Sequence, residues 1–298
     1  MVNNFKGKAV YNPSGKAKEY SYWACNFYNG CSGMCSCCYC KKGITTKVLG
    51  GDRPTLKKCF KDEEHACSIF RKEIIDNLEE LRRCGLFFSF TTDPLLQDTK
   101  DLTWAAVNIC LNFNIPVKIL TKQVEWFDEY LGDIMRDRLS DNKYIAFGFT
   151  LTGHDELEPN CATNAERIAA MKLLHEKGFK TFASIEPIID FESSYRMIVE
   201  LCGACDLFKI GLESGKRYSK METLTFMFNL PMFLFDYNGK RFSDSKVYFK
   251  DSILKAAGIE RDKLNDGFSN CVNRDYNLFS NKMSNDRCAV IAAKPELF

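Results

Sequence analysis

Short apolar runs alternate with longer stretches of helical period from residue 20 to residue 213. The run "YSYWACNFY" (20–28) predicts a first strand. "HACSIFRKEIIDNLEELRRCG" (65–85) predicts a helix, because Phe70, Ile74, Leu78 and Leu81 recur at helical spacing and Gly85 can end it. "LFFSF" (86–90) is a second strand, and "KDLTWAAVNICLNFN" (100–114) a helix with Leu102, Ala106, Ile109 and Phe113 on one face. "PVKIL" (116–120) is a third strand, short and apolar throughout, as strands covered on both faces are. A helix over "VEWFDEYLGDIMRDRL" (124–139), a strand over "YIAFGFTL" (144–151) and a helix over "TNAERIAAMKLLHEKG" (163–178) follow. In that last helix Thr163 and Glu166 form a capping-box pattern and Gly178 supplies a stop. "KTFASIEPI" (180–188), "SYRMIVELC" (194–202) and "DLFKIGL" (206–212) complete a series of six strands alternating with helices. That rhythm predicts an α/β fold with a parallel sheet. Periodicity leaves open whether the sheet is a barrel or is doubly wound.

After residue 214 the rhythm is expected to stop. "LTFMFNLPMFLFDYNGKRFSDSKVYF" (224–249) is dense in Phe and Tyr, and Asn238-Gly239 between apolar flanks signals a hairpin. "KDSILKAAGI" (250–259) predicts a short helix, and residues 264–298 read as polar and irregular. The expected division is therefore residues 1–213, carrying the β/α units, and residues 214–298, an aromatic-rich α+β cover.

Composition narrows the class. The chain has 298 residues, 45% hydrophobic and 27% charged, which suits a large folded domain rather than disorder. The net charge of +2 does not mark a dedicated nucleic-acid binder. No run of 18 apolar residues predicts a membrane span, and "MVNNFKGKAVYNPSGK" lacks the apolar core of a secretory signal, so the cytoplasm is the expected compartment. Fifteen cysteines in a reducing compartment are metal ligands or small apolar residues rather than a disulfide framework.

Five of those cysteines fall within ten positions of "NFYNGCSGMCSCCYCKKG" (26–43): Cys31, Cys35, Cys37, Cys38 and Cys40. Cys31, Cys35 and Cys38 stand at C-x3-C-x2-C. Thiolates suit zinc or iron–sulfur clusters. A structural zinc site usually takes four protein ligands, often from two separated C-x2-C pairs, and no such partner pair follows. Three sulfurs on a four-iron cluster leave one iron open. Gly30 and Gly33 allow the loop to wrap closely. Cys202 and Cys205, with Cys271 and Cys288, offer a second but weakly patterned set of thiols.

The segment resembles the signature loop of the radical S-adenosylmethionine (SAM) superfamily. The longer stretch "NPSGKAKEYSYWACNFYNGCSGMCSCCYC" is similar to the entry segment of the branch around spore photoproduct lyase, at Gly15, Ala17, Glu19, Tyr20, Tyr28, Gly30, Cys31, Cys35, Cys38 and Tyr39. The resemblance implies a partial (β/α)6 barrel of the radical SAM type, a [4Fe-4S] cluster on Cys31, Cys35 and Cys38, and S-adenosyl-L-methionine on the open iron. It departs at Cys37, where the family carries an aromatic residue against the adenine. Cys37 and Tyr39 are the candidate catalytic residues.

In β/α barrels the chemistry collects at the C-terminal ends of strands. Thr91, Thr92 and Asp93 follow the second strand, Thr121 and Lys122 the third, Thr150, Thr152 and His154 the fourth, Ser184 and Glu186 the fifth, and Glu213 the sixth. By resemblance, "TDP" lies near the methionine amine and "TK" supplies the carboxylate-binding lysine, making Thr92, Asp93, Lys122 and Glu186 the candidate cofactor residues. "SIEP" and "GLESG" are also similar to segments of phage-type radical SAM proteins. The implied reaction is reductive cleavage of SAM to a 5′-deoxyadenosyl radical that abstracts hydrogen from a substrate. A donor such as flavodoxin or ferredoxin would supply the electron. A nucleic-acid base or nucleotide is the leading substrate class and a small metabolite or peptide the next. The cysteine donor of spore photoproduct lyase aligns with Phe90, so the same reaction is not implied. Two non-catalytic readings stay open: a zinc- or cluster-binding module, and an electron-transfer protein.

Overall fold

The computed structural model describes residues 4–127, 144–230, 244–266 and 270–279. Its centre is an eight-stranded sheet in the order β1-β2-β5-β6-β7-β8-β9-β10. The strands are β1 (Val10–Tyr11), β2 (Ala24–Cys25), β5 (Leu86–Phe88), β6 (Val117–Thr121), β7 (Ile145–Thr150), β8 (Lys180–Ile188), β9 (Leu207–Leu212) and β10 (Lys246–Phe249). A separate ribbon pairs β3 (Tyr28–Asn29) with β4 (Thr55–Leu56), antiparallel. From β2 to β10 every neighbouring pair of the main sheet is parallel; β1 runs antiparallel to β2.

The strand order decides between the two architectures that periodicity leaves open. A doubly wound sheet reverses its order at a switch point. Here spatial order follows chain order throughout. With right-handed crossovers, helices then gather on one face and the other face curls inward. The result is a partial barrel whose sheet stays open among the described residues.

Two apolar layers follow from the period-2 alternation of strand side chains. Phe88, Val117, Ile119, Phe147, Ala183 and Phe208 face outward into the main core with the helix residues Phe70, Ile74, Ala106, Ile109, Met171 and Leu174. Phe87, Ala146, Phe182, Leu207 and Tyr248 face inward, where they meet Tyr20 and Ala24. Gly148 on β7 gives the Phe182 ring its place, since a Cβ there would lie 2.2 Å from the ring.

All six expected strands are present, as β2, β5, β6, β7, β8 and β9. The helices Lys100–Asn112, Asn164–Glu176 and Phe191–Glu200 are also as expected. The capping box is formed in full: the Thr163 side chain accepts from the Glu166 N–H and the Glu166 carboxylate from the Thr163 N–H. The helix expected over 65–85 is interrupted at Asn77, whose amide caps the Glu73 carbonyl, giving helices Glu63–Asp76 and Leu78–Cys84. Of the helix expected over 124–139, residues 128–139 lie outside the described residues.

The expected stop after residue 214 is corrected. Helix Lys220–Asn229 leads on to β10, which pairs parallel with β9 over Lys246–Phe249. One more β/α unit therefore extends the sheet. The "KVYF" run is too short for periodicity to separate a parallel strand from one arm of a hairpin. The Asn238-Gly239 hairpin signal lies outside the described residues. The short helix expected after it is present as Asp251–Ala257, with Gly258 left-handed at its end.

Gly148→Ala forces a methyl into the inward ring layer. The expected cost is about 1–3 kcal/mol, typical of overpacking. A urea midpoint lower than wild type, with unchanged secondary structure by circular dichroism, is the expected result.

Candidate active site

The cysteine loop is tied down at its base by backbone geometry. β3 pairs with β4, and the Cys31 N–H donates to the Gly51 carbonyl at 2.9 Å. Gly30 has φ +84°, and a Cβ there would sit 2.4 Å from the Arg53 carbonyl oxygen, so the sequence needs glycine at this crossing. Farther along, the Tyr39 hydroxyl donates to the Phe90 carbonyl, and the Asn26 side chain accepts from the Phe90 N–H at 2.8 Å. The loop is thus fastened to the segment that follows β5.

The loop after β7 closes over it. The Ser36 N–H donates to the Leu157 carbonyl at 2.9 Å and Asn160 donates to the Ser32 carbonyl at 2.9 Å. These contacts bring in a thiol that the sequence pattern does not single out. The Cys161 sulfur lies 3.7 Å from the Cys35 sulfur. A Cβ on Gly33 would lie 3.2 Å from the sulfur of Cys161, 3.4 Å from that of Cys31 and 3.7 Å from that of Cys35. Gly33 is the point where bare backbone is pressed against three sulfurs. Cys161 stands 121 residues or more from the loop's cysteines in sequence, so no local spacing announces it.

The loop and the strand ends enclose one cavity of about 330 Å³. Cys31, Cys35, Cys37, Cys38, Tyr39, Thr92, Asp93, Lys122 and Glu186, the nine candidate site residues, all line it. Glu213 lines it as well. His154 does not: its ring bridges Glu156 and Asp190, at 2.7 and 2.5 Å, and ties the loop after β7 to the start of helix Phe191–Glu200. Of the secondary thiol set, Cys205 is buried and donates to the Leu207 carbonyl at 3.3 Å, and Cys288 lies outside the described residues.

Electrostatics at the strand ends rests on a buried trio. The Lys122 ammonium lies 2.7 Å from Glu158 and 3.3 Å from the Cys35 sulfur. Glu158 also accepts from the Arg167 guanidinium at 2.5 Å, and both of those side chains are fully buried. Burial pulls the Lys122 ammonium down, but Glu158 and the thiols of Cys35 and Cys37 outweigh it and hold the group well above its ordinary range. Burial pushes Glu158 up, and Lys122 and Arg167 more than reverse that. Lys122 and Arg167 share the Glu158 carboxylate, and Arg167 also lies 3.8 Å from Asp155, so Lys122 is the cation of the group that reaches Cys35.

Asp93 is spent on architecture. Its carboxylate accepts from the Leu95 N–H at 3.0 Å, the Thr121 hydroxyl at 2.7 Å and the Lys122 N–H at 2.7 Å. It therefore clamps the end of β5 to the end of β6. Burial raises its pKa despite these bonds. Glu186, beside a register shift in β8, accepts from Lys250 at 2.5 Å and from the Tyr20 hydroxyl at 2.8 Å. The Thr92 hydroxyl is buried, has no hydrogen-bond partner among the described residues and borders the cavity.

The thiols differ. Hydrogen bonding from Cys40 lowers Cys38 to about 6, and hydrogen bonding from Cys161, aided by Lys122, lowers Cys35 to about 7. Burial raises Cys31, and pushes Cys37 up to about 11. Thiolate is the metal-ligating form, so two of the three spaced sulfurs are prepared for it. Among the described residues, no three Cys, His, Asp or Glu side chains converge on a single metal-ion position. Ligands of a cubane attach at separate corners and need no such convergence. The sulfur set and the bare Gly33 backbone fit a cluster better than one zinc ion. No helix among the described residues is long and apolar enough to cross a membrane.

No family model matches the chain, and no curated protein matches it. Three solved chains of Streptococcus suis SuiB are similar in fold. The crystal structure of SuiB gives 14% identity and a TM-score of 0.42, over 62% of this chain and 44% of that one. SuiB bound to S-adenosylmethionine gives 13% and 0.45, over 62% and 43%. SuiB bound to precursor peptide SuiA gives 13% and 0.47, over 86% and 57%. The matches thus span 43–57% of the SuiB chains. None of the three is a spore photoproduct lyase.

Glu158→Gln removes the buried carboxylate that Lys122 and Arg167 share and leaves Arg167 only the more distant Asp155, at an expected cost of about 3–5 kcal/mol at neutral pH. The carboxylate is held below its ordinary range, so its contribution is present at neutral pH and fades as pH falls through the folded value. Urea unfolding at pH 7 and at acid pH should show the gap between wild type and variant closing on acidification.

Proposed function

We propose that the chain is a radical SAM enzyme, with a [4Fe-4S] cluster on Cys31, Cys35 and Cys38 and S-adenosyl-L-methionine in the cavity beside it. The observation that carries this reading is the meeting, in one cavity, of three spaced thiols and the polar ends of successive parallel strands. Bound together, cluster and cofactor supply one-electron cleavage of a sulfonium carbon–sulfur bond and, from it, hydrogen abstraction from an unactivated carbon.

The chain's own residues have separable tasks. Gly33 admits the metal core against the loop backbone. Lys122, held by Glu158, offers its ammonium to a carboxylate or to the Cys35 thiolate. The Thr92 hydroxyl, and Glu186 poised between Lys250 and Tyr20, give the cofactor's polar groups partners. Asp93 holds the floor of the site in register rather than meeting the amine directly. Tyr39 spends its hydroxyl on Phe90 and presents its ring as a wall. Cys37, kept protonated by burial, is the S–H group nearest in kind to a hydrogen-atom donor.

Rim charges favour a small metabolite or a peptide over nucleic acid. Lys42 pairs with Glu213 at 2.5 Å, Lys41 with Asp52 at 2.6 Å, and Lys16 donates to Ser214 at 2.8 Å. Cations engaged in this way are not a run waiting for a phosphate backbone. An external one-electron donor of the flavodoxin or ferredoxin kind completes the system.

The test is anaerobic reconstitution with iron and sulfide, followed by assay of 5′-deoxyadenosine under reducing conditions. Wild type should bind about four irons, change its reduced-cluster spectrum on adding SAM, and release the nucleoside. Cys31→Ala, Cys35→Ala and Cys38→Ala should each abolish release, whereas Cys161→Ala should retain a cluster. Stable zinc with no SAM response would overturn the reading.

A further inference from the structure

A second cavity, of about 140 Å³, lies at the other end of the barrel interior. Tyr20 borders both cavities and so forms the partition between them. The lower cavity is reached from the N-terminal halves of the strands: Lys118 is the second residue of β6, Phe182 the third of β8, and Leu207 and Lys209 the first and third of β9. Residues 274–278 line it from outside the sheet.

Its charge is lopsided. Lys118 and Lys209 line it from the strands, and Lys18, Arg83 and Arg274 line it from outside them, Arg274 being paired with Asp251 at 3.1 Å. One carboxylate, Asp275, shares the lining, and it already accepts from the Tyr22 hydroxyl. Lys209 is only 7% exposed. Its ammonium donates to the Glu19 carbonyl at 2.6 Å and lies over the Tyr20 and Tyr248 rings at 5.1 and 5.0 Å. Lys118 reaches the Tyr20 carbonyl at 3.4 Å. Among the described residues, no carboxylate comes within ion-pair distance of either ammonium. The Glu19 carboxylate lies instead on Lys250 at 3.6 Å and on Arg261 at 4.0 Å.

Two desolvated ammonium groups facing one cavity, with no carboxylate at ion-pair distance among the described residues, are costly unless something neutralises them. Burial pulls Lys118 down to about 8; Lys209 is held well below its ordinary range, by burial first and then by Lys118 and Lys250, against the pull of Glu19 and Glu186. The space holds about five waters at ~30 Å³ each, room for one tetrahedral oxyanion. Lysine meets phosphate as a compact point charge, and the outer arginines offer forked donors.

We propose that this lower cavity binds a phosphate group, with Lys118 and Lys209 as its inner ligands. The group is either free phosphate or the end of a phosphate monoester entering past Lys18, Arg83 and Arg274. The proposal does not rest on the radical SAM reading.

The experiment is isothermal titration of the full chain, at fixed ionic strength, with inorganic phosphate and with phenyl phosphate. Wild type should bind one equivalent of at least one probe. Lys118→Met and Lys209→Met should each weaken it tenfold or more, while Lys172→Met, on an outer helix, should leave it unchanged. Phenyl phosphate binding more tightly than phosphate would identify a monoester as the source; the reverse would identify the free ion. Phosphate should also slow reductive methylation of Lys118 in the wild-type chain, a readout that does not depend on the variants folding. Failure of both probes to bind, binding unaffected by both methionine variants, or no protection of Lys118 would overturn the proposal.

Discussion

The trio Lys122, Glu158 and Arg167 is the constraint around which the upper end of this molecule is organised. Its members come from the end of β6, the loop after β7 and the helix that follows. A buried carboxylate with one cation is expensive to assemble and more expensive to break. Holding two cations on Glu158 fixes the loop over the cysteine segment, and with it the approach of Cys161 to Cys35. Arg167 also donates to the Thr150 carbonyl, so the same group reaches the end of β7. Position of the sulfurs and charge at the strand ends are therefore one problem with one solution.

Below this layer the barrel interior is unusually polar. Glu186, Lys250, Glu19 and Tyr20 form a connected set, with the Tyr20 hydroxyl 2.6 Å from Ser184. Aromatic rings carry part of the charge: Lys250 lies 4.5 Å from the centre of the Tyr20 ring. Gly211 makes room for this set, since a Cβ there would lie 2.8 Å from the Glu186 carboxylate. Polar contacts thus connect the upper cavity, through the Tyr20 partition, to the lysines of the lower one.

Much of this was legible in the sequence, for physical reasons. Strands covered on both faces read as apolar runs, and "IAFGFT" of β7 is buried at every position. The Thr163 capping box is a local signal and is found as a local structure. The nine candidate residues share a cavity because a parallel β/α order sends every strand end to the same side. What was not legible is whatever depends on distant pairing. Glu158 sits in a polar loop with no periodicity, and nothing in its neighbourhood says that it is buried between Lys122 and Arg167. Nor did the sequence show that the Asp93 carboxylate accepts from the Lys122 N–H and so joins two of the candidate cofactor residues to each other. β10 was hidden because four residues carry no period. Lys118 and Lys209 alternate within their strands as ordinary polar positions, and only the curl of the sheet turns them toward each other.

An unclosed sheet leaves two margins where a foreign strand could add. Here β1 is two residues long and β10 four. On β10, residues 270–272 already occupy backbone groups: the Val247 N–H donates to the Asn270 carbonyl at 3.0 Å and the Val272 N–H to the Val247 carbonyl at 2.9 Å. Margins so brief and so guarded offer little template for chain-to-chain stacking. Among the described residues, the gap in the sheet is therefore bounded by strands too short to invite fibrils.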